Sequence, residues 1–185
     1  MEDSRRDPAA TMSYLDRWRD TTSTWGEQHP QRALLTSQFI AGGQSVLDIG
    51  AGTMVLKRFL HKGCRYQPCD LFARSPECLV ADLNKKEFPQ GRYDWVVMLG
   101  VLQYIYDPAW AVEQCLKVAN RAAIAYTPIF PFEHVSNSLE WRKAHDWVNH
   151  YDVNDFIALV ETAGWHVHRK IYVTSNLLLI CDAKQ

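Results

Sequence analysis

No Cys-x-x-Cys pair occurs among the five cysteines, Cys64, Cys69, Cys78, Cys115 and Cys181, and their number is odd. Disulfide frameworks and zinc knuckles need paired thiols at short spacing, so the expectation is five reduced thiols in a cytosolic protein. Charge of one sign is missing too. The 20 basic and 21 acidic side chains leave a net charge of -1. Without a basic field to neutralise phosphates, a nucleic-acid partner is not expected. The longest apolar run, Trp95 to Leu102, contains Gly100. It is far shorter than the ~20 residues that cross a bilayer, so no membrane span is expected. No apolar run follows Met1 to Pro8, so no secretory signal is expected, and residues 1–11 read as a loose tail.

What remains is an ordinary globular composition, 47% hydrophobic and 22% charged over 185 residues, enough for one domain with a sizeable core. Met12, Tyr14, Leu15 and Trp18 recur at helical spacing, and Leu34, Leu35, Phe39 and Ile40 form a second amphipathic stretch after Pro30, ended by Gly42 and Gly43. Residues 1–43 therefore read as a helical extension or lid on a domain spanning 44–185. From Ser45 the pattern changes to short apolar strands alternating with helices. Strands are expected over Ser45–Ile49, Arg65–Asp70, Cys78–Ala81, Tyr93–Leu99, Arg121–Tyr126, His166–Val173 and Leu177–Asp182. Helices are expected over Met54–Leu60, Pro108–Val118 and Val153–Ala163, with Asp107 and Asp152 as N-caps and Gly164 as a stop. Alternation of this kind implies an α/β fold: a Rossmann-like, seven-stranded, mostly parallel sheet with helices on both faces. The last two strands are joined too tightly for a parallel crossover and should form an antiparallel C-terminal hairpin.

The first strand runs into Asp48-Ile49-Gly50-Ala51-Gly52. A glycine-rich turn at the carboxyl end of a first parallel strand is a ligand-binding position, because it lets backbone approach a ligand and exposes free N–H groups. Asp70 and Asp82 fall at the ends of the second and third strands. Three carboxylates along one sheet edge repel a pyrophosphate but suit a ligand with hydroxyls, amines and positive charge. The third glycine of a dinucleotide fingerprint is replaced by Val55, which argues against a nicotinamide cofactor.

From about Gln44 to Asp182 the chain resembles the class I S-adenosylmethionine (SAM)-dependent methyltransferases, of small-molecule type and similar to methyltransferase domains 11 and 12. The resemblance rests on Val46 through Gly52, on Asp70, on Asp82 and Leu83, on Tyr93 to Val97 followed by Leu99 to Ile105, and on Tyr151 to Val153 through Ala163 to Trp165. It implies SAM as cofactor. Gly50, Ala51 and Gly52 would lie under the ribose and amino-acid portion, with Asp48 toward the methionine ammonium. Asp70 would take the ribose hydroxyls, with Leu71 beside the adenine. Asp82 would accept from the adenine amino group, with Leu83 against the ring. Leu99 and Gly100 would line the sulfonium side. Three departures stand out. Met54 occupies a place where the family commonly has glycine. Leu71 to Glu77 is too short for the usual crossover helix. Gln103 and Tyr104 stand where many members carry Glu-His.

The acceptor is expected near Tyr104 and Tyr106, or near the aromatic, histidine-bearing stretch from Pro128 through His134 to Trp141, His145, Trp147 and His150. His134 is the candidate base, with Tyr104 the second candidate catalytic residue; no metal site is expected. Tyr14, Trp18 and Trp25 are candidate lid residues. The sequence reading is therefore methyl transfer to a small-molecule acceptor. An inactive methyltransferase-fold binding or scaffold protein is the alternative.

Overall fold

A computed structural model of the chain describes residues 18–19, 30–130 and 138–185. Seven strands form one sheet: β1 (Ser45–Ile49), β2 (Arg65–Asp70), β3 (Leu79–Val80), β4 (Trp95–Leu99), β5 (Arg121–Tyr126), β6 (Trp165–Val173) and β7 (Asn176–Ala183). Their order is β3-β2-β1-β4-β5-β7-β6. The first five pair in parallel, and β7 runs antiparallel to both β5 and β6. Among the described residues, α1 (Pro30–Ser37), α2 (Pro108–Val118), α3 (Leu139–Ala144) and α4 (Val153–Thr162) accompany them.

Side-chain alternation explains the layers. Successive residues of a strand face opposite sides, so a strand covered on both faces must be apolar throughout. In β4, Val96 and Met98 join a core with α2 and α4, while Trp95 and Val97 join another with Ala33 of α1 and Leu56. In β7, Leu177, Leu179 and Cys181 face the first core and Leu178 and Ile180 the second. Helices therefore cover both faces. The helix ends follow local chemistry. Asp107 accepts from the Trp110 N–H at 3.1 Å ahead of Pro108, and Asp152 accepts from Asn154 and Asp155 N–H at 2.7 and 2.9 Å. Gly164, at φ +99°, ends α4 and turns the chain into β6.

Three expectations change. The helix expected over Met54–Leu60 is a short 3-10 turn, Val55–Arg58, entered through Met54 in the left-handed region at φ +57°. The third strand keeps two residues of the expected four. The loop expected after β5 contains α3, whose N-cap Ser138 accepts from the Trp141 N–H at 3.2 Å. Among the described residues, no helix is long and apolar enough to cross a membrane. The five cysteines are free thiols.

Candidate functional site

The carboxyl ends of β1 to β5 meet at one sheet edge, and the turn after β1 is held there by its neighbours. Gly50 and Ala51 N–H both donate to the Cys69 carbonyl, at 2.8 and 3.0 Å. Gly50 has φ +70°, and a Cβ on it would come within 2.8 Å of the Val101 side chain. Gly52, at φ +51°, faces open space, and its N–H donates to Asp70 Oδ2 at 2.8 Å. The turn is thereby fixed over β2, with one carboxylate oxygen of Asp70 holding it. Asp70 Oδ1 lies 3.7 Å from Arg74 Nε, and the Arg74 guanidinium donates to the carbonyls of Trp18 and Arg19.

Two hollows adjoin along this edge and share Gly50, Gly52, Thr53, Gly100, Trp18 and Tyr104. The first is lined by Asp70, Leu71, Asp82, Leu83 and Asn84. Asp82 caps the 3-10 turn Leu83–Lys85 by accepting from the Asn84 N–H at 3.0 Å. Asn84 ties this edge to the β4 exit, donating to the Tyr104 carbonyl at 3.0 Å and accepting from the Tyr106 N–H at 2.8 Å. The second hollow is lined by Arg32, Asp48, Ala51, Leu99, Gln103, Thr127 and Trp147. Each encloses roughly 900 Å³ counting space open to solvent. Trp18 meets Tyr104 edge-on at 4.6 Å between ring centroids.

Charge in the second hollow is organised around Asp48. Burial pushes its carboxyl up to about 7, against the hydrogen bond that Tyr66 Oη donates to it at 2.6 Å; Asp70 adds to the rise and Arg32 opposes it. Burial lowers Arg32 to about 10, still a cation at neutral pH. Its Nη1 donates to Asn176 Oδ1 at 3.1 Å and lies where a Cβ on Gly100 would come within 2.6 Å. The hollow thus holds a fixed cation and a carboxyl poised between its two forms.

The Asp48 carboxyl titrates near its ordinary 3.8 when unfolded and near 7 when folded. The folded protein therefore keeps a proton that the unfolded chain releases. That contribution is complete below pH about 4 and is lost as pH rises through about 7. Asp48→Asn should flatten the decline of the melting temperature of the ligand-free protein between pH 4 and 7. Parallel profiles for wild type and variant would contradict it.

All ten residues expected to hold a cofactor, Asp48, Gly50, Ala51, Gly52, Asp70, Leu71, Asp82, Leu83, Leu99 and Gly100, line these two hollows. Tyr104 lies where the hollows meet. Met54 is not among the residues lining either hollow, although its neighbours Thr53 and Val55 line the second. His134, Tyr14 and Trp25 lie outside the described residues, and so does the expected first helix apart from Trp18 and Arg19. His145 stacks on Trp141 at 3.6 Å between ring centroids. His166 and His168 lie exposed on β6, the latter 3.7 Å from Asp182. No grouping of three His, Cys, Asp or Glu suited to a metal occurs among the described residues. Sequence reasoning missed Arg32, Arg74, Asn84 and Thr127. It named Gln103 only as a departure.

A family model described as "Methionine biosynthesis protein MetW" matches residues 31–179. No curated protein matches the chain. Among solved structures, 1,6-didemethyltoxoflavin-N1-methyltransferase from Burkholderia thailandensis, with bound 1,6-didemethyltoxoflavin and S-adenosylhomocysteine, is similar at a TM-score of 0.73. Its identity is 13%, over 100% of this chain and 94% of that one. The complex between the Haloferax volcanii Trm112 methyltransferase activator and a methyltransferase gives a TM-score of 0.69 and 17% identity, over 98% and 100% of the chains. A SAM-dependent methyltransferase from Aquifex aeolicus gives 0.62 and 16%, over 96% and 98%. At these identities the likeness is one of fold: the chain has the fold of the class I SAM-dependent methyltransferases.

Proposed function

We propose that this chain, which belongs to the MetW family, binds SAM across the two hollows and transfers its methyl group to a small-molecule acceptor. The observation that carries this reading is the convergence of Asp48, Asp70 and Asp82, at three successive strand ends, on one cleft spanned by the Gly50–Gly52 turn. Adenine lies between Leu71 and Leu83, with its amino group toward Asp82. The ribose hydroxyls donate to Asp70, whose position the Gly52 N–H already fixes. The methionine portion enters the second hollow. There Asp48 meets its ammonium and Arg32 its carboxylate, which places opposite charges on a zwitterion. A ligand bearing a sulfonium and an ammonium also favours the ionised form of Asp48.

SAM supplies the activated methyl group. Transfer proceeds as the acceptor lone pair attacks the methyl carbon and the C–S electron pair returns to sulfur. The chain's task is alignment and exclusion of water. Leu99 and Gly100 form the floor at the sulfur, and Tyr104 stands at the junction. Trp18 and Arg32, from the N-terminal 43 residues, form part of the cover over domain 44–185. The free thiols accord with a cytosolic setting.

A second reading, cofactor binding without turnover in an assembly with a protein partner, is favoured by the neutral Gln103 at the β4 exit. The Haloferax relative is itself found with an activator.

Thermal shift separates these readings. SAM and S-adenosylhomocysteine at ~100 times their dissociation constants should stabilise the fold by about 2.7 kcal/mol, a rise of roughly 5–10 °C, and NAD should give none. No response to either SAM-type ligand at millimolar concentration overturns cofactor binding. Binding without methyl transfer over a panel of acceptors selects the second reading.

A further inference from the structure

We infer that the side of the second hollow walled by Gln103, Thr127 and Trp147, next to the methionine portion, seats a planar aromatic ring carrying an N–H or O–H group, and that Gln103 selects it by accepting that hydrogen bond. The inference deepens the cofactor reading above and rests on it for the position of the sulfur. It is carried by a directed chain of side-chain hydrogen bonds. Arg32 has only donors to offer, so the Asn176 amide must turn its Oδ1 toward Nη1, at 3.1 Å. The same Oδ1 faces Thr127 Oγ1 at 3.2 Å, and an oxygen fixed as acceptor makes the Thr127 hydroxyl its donor. Thr127 Oγ1 then has only lone pairs left for Gln103, which presents Nε2 at 3.5 Å.

Each link removes one choice from the next. At the end, the Gln103 amide is oriented with Oε1 pointing away from Thr127. That oxygen is buried and has no hydrogen-bond partner, although Gln103 is only 3% exposed and lines the hollow. A buried acceptor left unmade is costly, and its natural complement in a cleft wall is a ligand donor. A carboxylate or a ring bearing only acceptors would meet it lone pair to lone pair.

The shape of the wall supplies the rest. Trp147 Nε1 donates to Tyr104 Oη at 3.0 Å, and the two rings meet edge-on, 6.4 Å apart at 87°. Trp141 meets Trp147 edge-on from behind at 5.6 Å. The phenol oxygen satisfies the indole N–H, so the two rings add apolar aromatic surface beside the neutral acceptor of Gln103. Such a surface favours a planar ring, and the neutral amide favours an uncharged donor on it. Gln103 takes no proton; it is a specificity-determining group that holds the ring in one orientation beside Leu99 and Gly100.

Indole and 1-methylindole are the probes, since they differ only at the donor. Each is titrated by ligand-observed NMR into protein saturated with S-adenosylhomocysteine. Indole should bind at least tenfold more tightly than 1-methylindole. Gln103→Met should remove the preference, and Gln103→Glu, which keeps an acceptor, should retain it. Phenol and anisole should repeat the pattern for O–H. Equal affinities in the wild type, no binding of indole, or a preference that survives Gln103→Met would overturn the inference. If S-adenosylhomocysteine itself fails to bind, the cofactor reading is what falls. The same indole comparison on ligand-free protein then still decides the role of Gln103.

Discussion

Replacing Asp70 by alanine is expected to weaken S-adenosylhomocysteine binding by about 100-fold. Two ribose hydroxyls donating to one carboxylate are charge-assisted hydrogen bonds, each worth about 1.5–3 kcal/mol, and losing a net 2.7 kcal/mol is a factor of about 100. Two further effects act in the same direction. The Gly52 N–H loses the acceptor that holds the turn at 2.8 Å, and the Arg74 guanidinium 3.7 Å away loses its counter-charge beside the ligand. The strand itself should persist, since β2 is hydrogen-bonded to β1 and β3 on either side. Calorimetry with far-UV circular dichroism checks both halves. Affinity within threefold of wild type would show that the ribose does not lie on Asp70.

Gly50→Ala is expected to lower the melting temperature of the ligand-free protein by about 5–10 °C. Backbone at φ +70° is strained for any residue with a Cβ, and here that Cβ would also press on Val101 at 2.8 Å. Strain at such a position costs on the order of 1–3 kcal/mol, and each kcal/mol is worth roughly 2–4 °C in a domain of this size. Relief by moving Val101 would shift the β4 exit, where Gly100 and Tyr104 line both hollows. Cofactor affinity should therefore fall along with stability. Differential scanning fluorimetry reads the first effect, and an unchanged melting temperature would show that the turn relaxes freely.

The contrast between Gly50 and Met54 also marks how far sequence reasoning reaches. Strands buried on both faces announce themselves as apolar runs, so β1, β4, β5 and β7 were legible within two residues at either end. Polar caps made α2 and the start of α4 legible, because Asp107 and Asp152 act on N–H groups only two or three residues away. The segment after Gly52 misled, since Val55, Leu56, Phe59 and Leu60 space like a helix. Entry through Met54 in the left-handed region leaves only a 3-10 turn. For α3, Ser138 followed by helix-forming residues was the available signal, outweighed by the aromatics and histidines around it.

In the cleft, the ten residues expected to hold a cofactor were legible because each stands beside a strand end in the sequence as well as in space. Arg32 was not, since it reaches the cleft from a helix ahead of the first strand, and a lone arginine on an amphipathic helix carries no signal. The Gln103 network was invisible for the same reason. Its links join positions 24, 49 and 144 residues apart, and only the folded sheet brings them together.

The most direct test of the central claim is a crystal structure of the protein with S-adenosylhomocysteine. The account predicts the adenine between Leu71 and Leu83, both ribose hydroxyls within hydrogen-bond distance of Asp70, and the amino-acid end between Asp48 and Arg32. Density for the ligand elsewhere on the molecule, or an empty cleft at saturating ligand, would contradict it.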